Sequence, residues 1–124
     1  MSFLRNLMGP GVPTVSVQEA AELQGGETGA LILDVREPNE YTQIRARGAM
    51  LLPLGRLNNR VKDLPRDREI LLMCRTGGRS SNATQFLVAN GFENVTNVKG
   101  GIMAWYQAGL PTTNGAPEPE EGEF

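Results

Sequence analysis

The strongest constraint on the fold is a set of short, wholly apolar runs separated by segments with helical spacing. Ala30-Leu31-Ile32-Leu33, Met50-Leu51-Leu52 and the run from Glu69 to Met73 each lack polar alternation, and Val95 to Val98 is a further strand candidate. A continuous apolar run of this length is the pattern of a strand buried on both faces. Thr14-Val15 adds a short strand ahead of them. Between the runs lie helix signals. Ser16 with Glu19 three residues later forms a capping box, followed by Val17, Ala20 and Ala21 at helical spacing and closed by Gly25-Gly26. Pro38 opens a short helix through Gln43. Leu57, Val61 and Leu64 mark a helix that Pro65 stops. Ala83, Phe86 and Leu87 mark the next, closed by Asn90-Gly91, and Ile102 with Trp105 a last one, closed by Gly109 and Pro111. Strand and helix alternate, so the expected class is α/β: a mainly parallel five-stranded sheet with helices on both faces.

The chain of 124 residues suits one domain. Residues 1–13 read as an N-terminal arm, 14–113 as the domain, and 114–124 as a disordered acidic tail. That tail is rich in Pro and Glu and nearly free of apolar side chains. It carries Glu118, Glu120, Glu121 and Glu123, which leaves ten acids in the body against twelve Lys and Arg. The body is mildly basic, and no block of cations marks a nucleic-acid partner. No apolar run reaches the length of a membrane span, and the first residues do not form a secretory signal. The expected location is the cytoplasm.

One cysteine, Cys74, and no histidine sharply narrow the chemistry. An intrachain disulfide is impossible, and a lone thiol suits a reducing compartment. Ser-His and Cys-His pairs are excluded, as are most catalytic zinc sites.

In parallel sheets, sites form beyond the carboxyl ends of strands. Cys74 stands at such an end, followed by Arg75, Thr76, Gly77, Gly78, Arg79, Ser80 and then a helix. Two adjacent glycines let the backbone curl and aim N–H groups inward, and the helix start adds its free N–H groups and dipole. Such a cradle lowers a thiol from its free value of about 8.5, so no general base is needed. Arg75 and Arg79 could hold an anionic substrate there, or stand as solvated loop charges. A lone cysteine can equally be a small buried hydrophobe, but that role does not call for this loop. Arg79 could instead pin the loop by a salt bridge, and Ser80 and Ser81 could cap the helix.

The loop Cys74-Arg75-Thr76-Gly77-Gly78-Arg79-Ser80 resembles the active-site loop of the rhodanese family. Leu33-Asp34-Val35-Arg36-Glu37 with Glu40-Tyr41 is similar to the family's first signature. Lys99-Gly100-Gly101-Ile102 with Trp105 and Gly109-Leu110-Pro111 is similar to its carboxyl-terminal one. The resemblance covers about residues 14 to 112 and implies a three-layer rhodanese-like fold of single-domain type. It also implies a sulfurtransferase cycle: the Cys74 thiolate takes the outer sulfur of a donor such as thiosulfate, and the persulfide passes it to a thiol or cyanide. Neither metal nor organic cofactor is implied. The partners implied are the small-molecule donor and acceptor, or a sulfur-relay protein. Phosphatase and arsenate-reductase relatives typically have one more residue between Cys and Arg, so the shorter loop here fits sulfur rather than a tetrahedral oxyanion.

The resemblance breaks at Ile44-Arg45-Ala46-Arg47-Gly48-Ala49, where the family usually has Gly-His-Ile-Pro-Gly-Ala. Arg45 and Arg47 replace the His and Pro; they could attract anions to the cleft, and the favoured reading is plain surface charge. Asp34 is expected to support the site loop by hydrogen bonding its backbone or pairing with an arginine, with Arg36 and Glu37 structural. Tyr41 and Trp105 are expected in the core, and Gly100-Gly101 as a tight lead-in to the last helix. Three functions compete: a thiosulfate-type enzyme, a persulfide carrier serving a partner protein, and a non-catalytic binding module. The complete loop argues against the third.

Overall fold

A computed structural model of the chain describes residues 11–27 and 29–124. Most of the expected N-terminal arm lies outside the described residues. The elements are β1 (Thr14–Val15), α1 (Val17–Gly25), β2 (Leu31–Asp34), α2 (Pro38–Gln43), β3 (Arg45–Ala46), β4 (Met50–Leu51), α3 (Leu54–Arg60), β5 (Ile70–Met73), α4 (Gly78–Ala89), β6 (Val95–Val98), α5 (Gly101–Gln107), β7 (Thr112–Thr113) and β8 (Gly122–Glu123).

The main sheet has the order β1-β6-β5-β2-β4-β8, and every pairing in it is parallel. Successive side chains of a strand point to opposite faces, so the apolar runs feed two cores at once. Ile32, Leu71, Met73 and Val98 join Tyr41, Ile102 and Trp105 on one face. Leu31, Leu33, Ile70, Leu72 and Val95 join Leu57, Ala83 and Leu87 on the other. Helices α1 and α5 pack together over the first face, and α3 and α4 over the second. Tyr41 and Trp105 are core residues, as expected, at 2% and 1% exposure. Among the described residues no helix is long and apolar enough to cross a membrane.

Local chemistry explains the boundaries. Ser16 Oγ accepts the Glu19 N–H and starts α1. The segment expected as a single helix through Leu57, Val61 and Leu64 begins a turn earlier, after Pro53, and tightens into a 3-10 turn at Val61–Asp63. Leu64 is already extended, because Pro65 disfavours helical geometry in the residue before it.

Two expectations fail at the carboxyl end. The sheet has six strands rather than five, and the sixth comes from the tail expected to be disordered. β8 pairs with β4, and the Phe124 N–H donates to the Leu51 carbonyl at 2.7 Å. The reason is Arg45, which is fully buried rather than a surface charge. Its guanidinium donates to Glu121 Oε1 at 2.8 Å and to the carbonyls of Gly115 and Ala116 at 2.9 and 3.0 Å, over the ring of Tyr41. Glu121 also accepts from the N–H groups of Gly48 and Glu118 and from the Thr113 hydroxyl. A buried charge requires this degree of pairing. Composition suggested disorder because the tail is nearly free of apolar side chains; its anchors are the Arg45–Glu121 pair and Phe124, which packs against the second core. Arg47, by contrast, is exposed.

Candidate active site

Cys74 follows the last residue of β5, the strand flanked by β2 and β6 at the middle of the sheet. Its side chain is 1% exposed. The chain then turns through Gly77, whose φ of +111° favours glycine, into α4. The Gly77 N–H donates to Cys74 Sγ at 3.1 Å, and the Ser80 hydroxyl lies 3.3 Å from the same sulfur. Burial opposes ionisation of Cys74. The Ser80 hydroxyl and the backbone N–H groups of Ser80, Gly77 and Thr76 outweigh it, so the thiol lies below its ordinary value.

The loop presents N–H groups inward because its carbonyls are held from outside. Ile102 N–H donates to the Cys74 carbonyl at 2.9 Å and Met103 N–H to the Arg75 carbonyl at 3.1 Å. These are free donors of the first turn of α5. The approach is so close that a Cβ on Gly101 would stand 2.3 Å from the Cys74 carbonyl oxygen. Gly100-Gly101 is thus more than a tight lead-in: Gly101 lets a helix end clamp the sulfur loop.

The structure separates the expected site residues into those at the sulfur and those beside it. Gly77 and Ser80 touch Cys74. Ser80 is inside α4 rather than capping it, since the cap position is Gly77. Gly78 opens the helix, and Arg75 and Thr76 stand exposed on the rim. Arg79 makes a two-pronged ion pair with Glu40, with N–O distances of 2.7 and 2.9 Å. That guanidinium holds the Glu40 carboxyl down to about 2, and Glu40 in turn raises Arg79. Asp34 is fully buried and binds Arg36 at 2.7 Å. Arg36 donates onward to the carbonyls of Ile44 and Glu40. Neither Asp34 nor Arg36 hydrogen bonds the Cys74 loop; the pair pins α2, and α2 carries Glu40 to Arg79.

Glu40 stood in the sequence only as part of the first signature, with no partner for Arg79 named, and Asn97 was not singled out. Asn97 Oδ1 lies 2.6 Å from Ser80 Oγ, directly behind the sulfur. A polar side chain near the carboxyl end of the strand beside β5 was the available signal.

A family model of the rhodanese-like domain matches residues 16–108. The chain belongs to the rhodanese-like family. A sulfurtransferase of Allochromatium vinosum is 39% identical over 71% of this chain and 80% of its own length. A putative sulfur carrier protein of Bacillus subtilis is 32% identical over 76% of this chain, which spans about 51% of that relative. The crystal structure of a thiosulfate sulfurtransferase from Pseudomonas aeruginosa superposes with a TM-score of 0.78 at 27% identity. It covers 86% of this chain and 21% of its own. The rhodanese-like fold thus brings this chain into a family of sulfurtransferases and sulfur carriers, with one thiol in an anion-stabilising backbone cradle.

Proposed function

We propose that the protein transfers sulfane sulfur through a Cys74 persulfide. The observation that carries this reading is the sulfur atom itself: buried, facing the Gly77 N–H at 3.1 Å, and at the carboxyl end of a central strand. The cradle suits a thiolate first and a terminal persulfide anion next, because its donors are fixed before the charge arrives. In the first half-reaction the Cys74 thiolate attacks the outer sulfur of the donor. The donor's S–S bond breaks, and its electron pair leaves with sulfite when thiosulfate is the donor. In the second, a thiol or cyanide attacks the outer sulfur and the pair of the new S–S bond returns to Cys74. The cycle is covalent, balanced and free of any cofactor. Arg75, Thr76, Gly77, Gly78 and Arg79 form the substrate side of the cradle in this reading, and the reducing cytoplasm is the compartment that suits it.

One observation favours the carrier over the thiosulfate enzyme. Arg79 is neutralised by Glu40, and Arg75 is then the one loop cation that forms no ion pair among the described residues. A dianionic donor gains little from such a site, whereas a persulfide donor or a partner's thiol needs less positive charge.

The test is intact-mass analysis of reduced protein after incubation with thiosulfate or with a low-molecular-weight persulfide, beside Cys74→Ser. The expected result is a gain equal to one sulfur atom on the native chain alone, reversed by cyanide. Gain from the persulfide but not thiosulfate selects the carrier. No gain from either rejects sulfur transfer.

A further inference from the structure

The buried Ser80 hydroxyl has one proton and two neighbours that call for it. Cys74 Sγ lies 3.3 Å from Ser80 Oγ, and Asn97 Oδ1 lies 2.6 Å from it on the other side. A hydroxyl donates once and accepts twice, so it cannot serve both acceptors together. All three groups are shut away from water: Cys74 is 1% exposed, Ser80 fully buried and Asn97 7% exposed. Buried polar groups call for hydrogen-bond partners, so which acceptor takes the Ser80 proton matters here.

The conflict resolves by the charge on sulfur. A Cys74 thiol donates to Ser80 Oγ, and Ser80 donates to Asn97 Oδ1. A Cys74 thiolate has no proton to give and accepts a further donor beside the Gly77 N–H, so Ser80 turns its own proton toward the sulfur. Two carbonyl-type lone pairs would then face the Ser80 oxygen across 2.6 Å unless the Asn97 amide turns over. Turned, it presents Nδ2–H to Ser80 Oγ in the same space, since the two ends of an amide are nearly equal in size.

We propose that Asn97 is a positioning residue that acts on Cys74 through Ser80, accepting the Ser80 proton while the sulfur is uncharged and donating to Ser80 Oγ while it is a thiolate. This rests on the persulfide reading for its consequence in turnover. In the persulfide the charge sits on the outer sulfur, in the backbone cradle, and Ser80 points to Asn97. When an acceptor thiolate attacks the outer sulfur, the S–S bond breaks and its electron pair settles on Cys74 Sγ. Ser80 swings to meet that charge, and Asn97 turns to support Ser80. The relay thus makes Cys74 a better leaving group at the moment the sulfur departs. Asn97 is placed for this by the sheet: it pairs in register with Leu72, and its N–H is tied to the Pro13 carbonyl at 2.8 Å.

The test is a cycle of four proteins: native, Asn97→Asp, Ser80→Ala and the double variant. The rate of Cys74 alkylation by iodoacetamide is measured against pH. A carboxylate at 97 can only accept, so it keeps the Ser80 proton from the sulfur. Asn97→Asp is expected to slow alkylation at neutral pH by about tenfold or more, the worth of one charge-assisted hydrogen bond. In the Ser80→Ala background the same change is expected to slow it far less. Equal factors in both backgrounds would mean that the carboxylate acts through space, which overturns the relay. Should the buried carboxylate prevent folding, the native protein answers by NMR. The Asn97 side-chain amide resonance is expected to titrate with the midpoint of the alkylation profile and to stop doing so in Ser80→Ala. A flat resonance in the native protein overturns the proposal. Alkylation needs no sulfur donor, so failure of sulfur transfer and failure of the relay are separate results.

Discussion

Glu40 and Arg79 lie 39 residues apart and bind each other through two parallel N–H···O contacts beside the Cys74 loop. The pair neutralises one of the two cations of the loop. Freeing it is expected to change substrate preference. Glu40→Gln should lower the KM for thiosulfate by roughly threefold to tenfold, a modest gain because both side chains are partly exposed. The KM for a persulfide donor should move little. Steady-state kinetics with both donors checks this; unchanged preference would leave Arg79 as a loop brace alone.

Cys74 lies below the ordinary thiol value despite its burial. Its alkylation profile is expected to reach the acid side of that of an unstructured cysteine peptide. The rate should fall as pH drops through the Cys74 value, because the thiolate is the nucleophile. Ser80→Ala removes one donor to the sulfur and should slow alkylation near neutrality by about tenfold. A profile matching the free peptide would mean that burial cancels the donors.

Gly101 and Gly78 make a matched pair of alanine substitutions. A Cβ at Gly101 meets two carbonyl oxygens at 2.3 and 2.6 Å, and its φ is +57°. Gly101→Ala is expected to cost about 2–4 kcal/mol and to spread the sulfur loop. Gly78 has open space for the same atom and ordinary helical geometry. Gly78→Ala should leave stability unchanged or raise it by about 0.5 kcal/mol. Denaturant melts measure both.

Removing residues 114–124 would strand Arg45 in the core. Loss of one partner from a buried pair costs about 3–5 kcal/mol, so truncation should lower Tm sharply. In an Arg45→Met background the same truncation should cost much less. Equal losses would mean that β8 stabilises by strand pairing rather than by the ion pair.

Glu121 also sets an acid limit. Burial alone would raise its carboxyl, but Arg45, the Glu118 and Gly48 N–H groups and the Thr113 hydroxyl bring it from 4.5 to about 2. A lowered carboxyl stabilises the fold fully above its unfolded value and loses that contribution as pH falls toward the folded one. Between about pH 5 and 2 the native protein should lose stability more steeply than Glu121→Gln. Parallel acid melts of the two proteins would contradict this.

The sheet's interior and the sulfur loop are legible in the order of residues alone. Runs such as Ile70–Met73 have no polar face to expose and are too short for a buried helix, so they read as central strands, and loop residues such as Cys74 and Gly77 are neighbours in the chain. Strand and helix alternation then set the parallel connections. The charge and hydrogen-bond links between distant residues emerge only from packing. Arg45 with Glu121, Glu40 with Arg79, and Ser80 with Asn97 are each brought together by packing across 17 to 76 residues. Polar side chains carry no periodicity that reveals a partner; each could face water until the fold removes water from around it. For that reason a tail with few apolar side chains became a sixth strand, and an apparent surface arginine became its buried anchor.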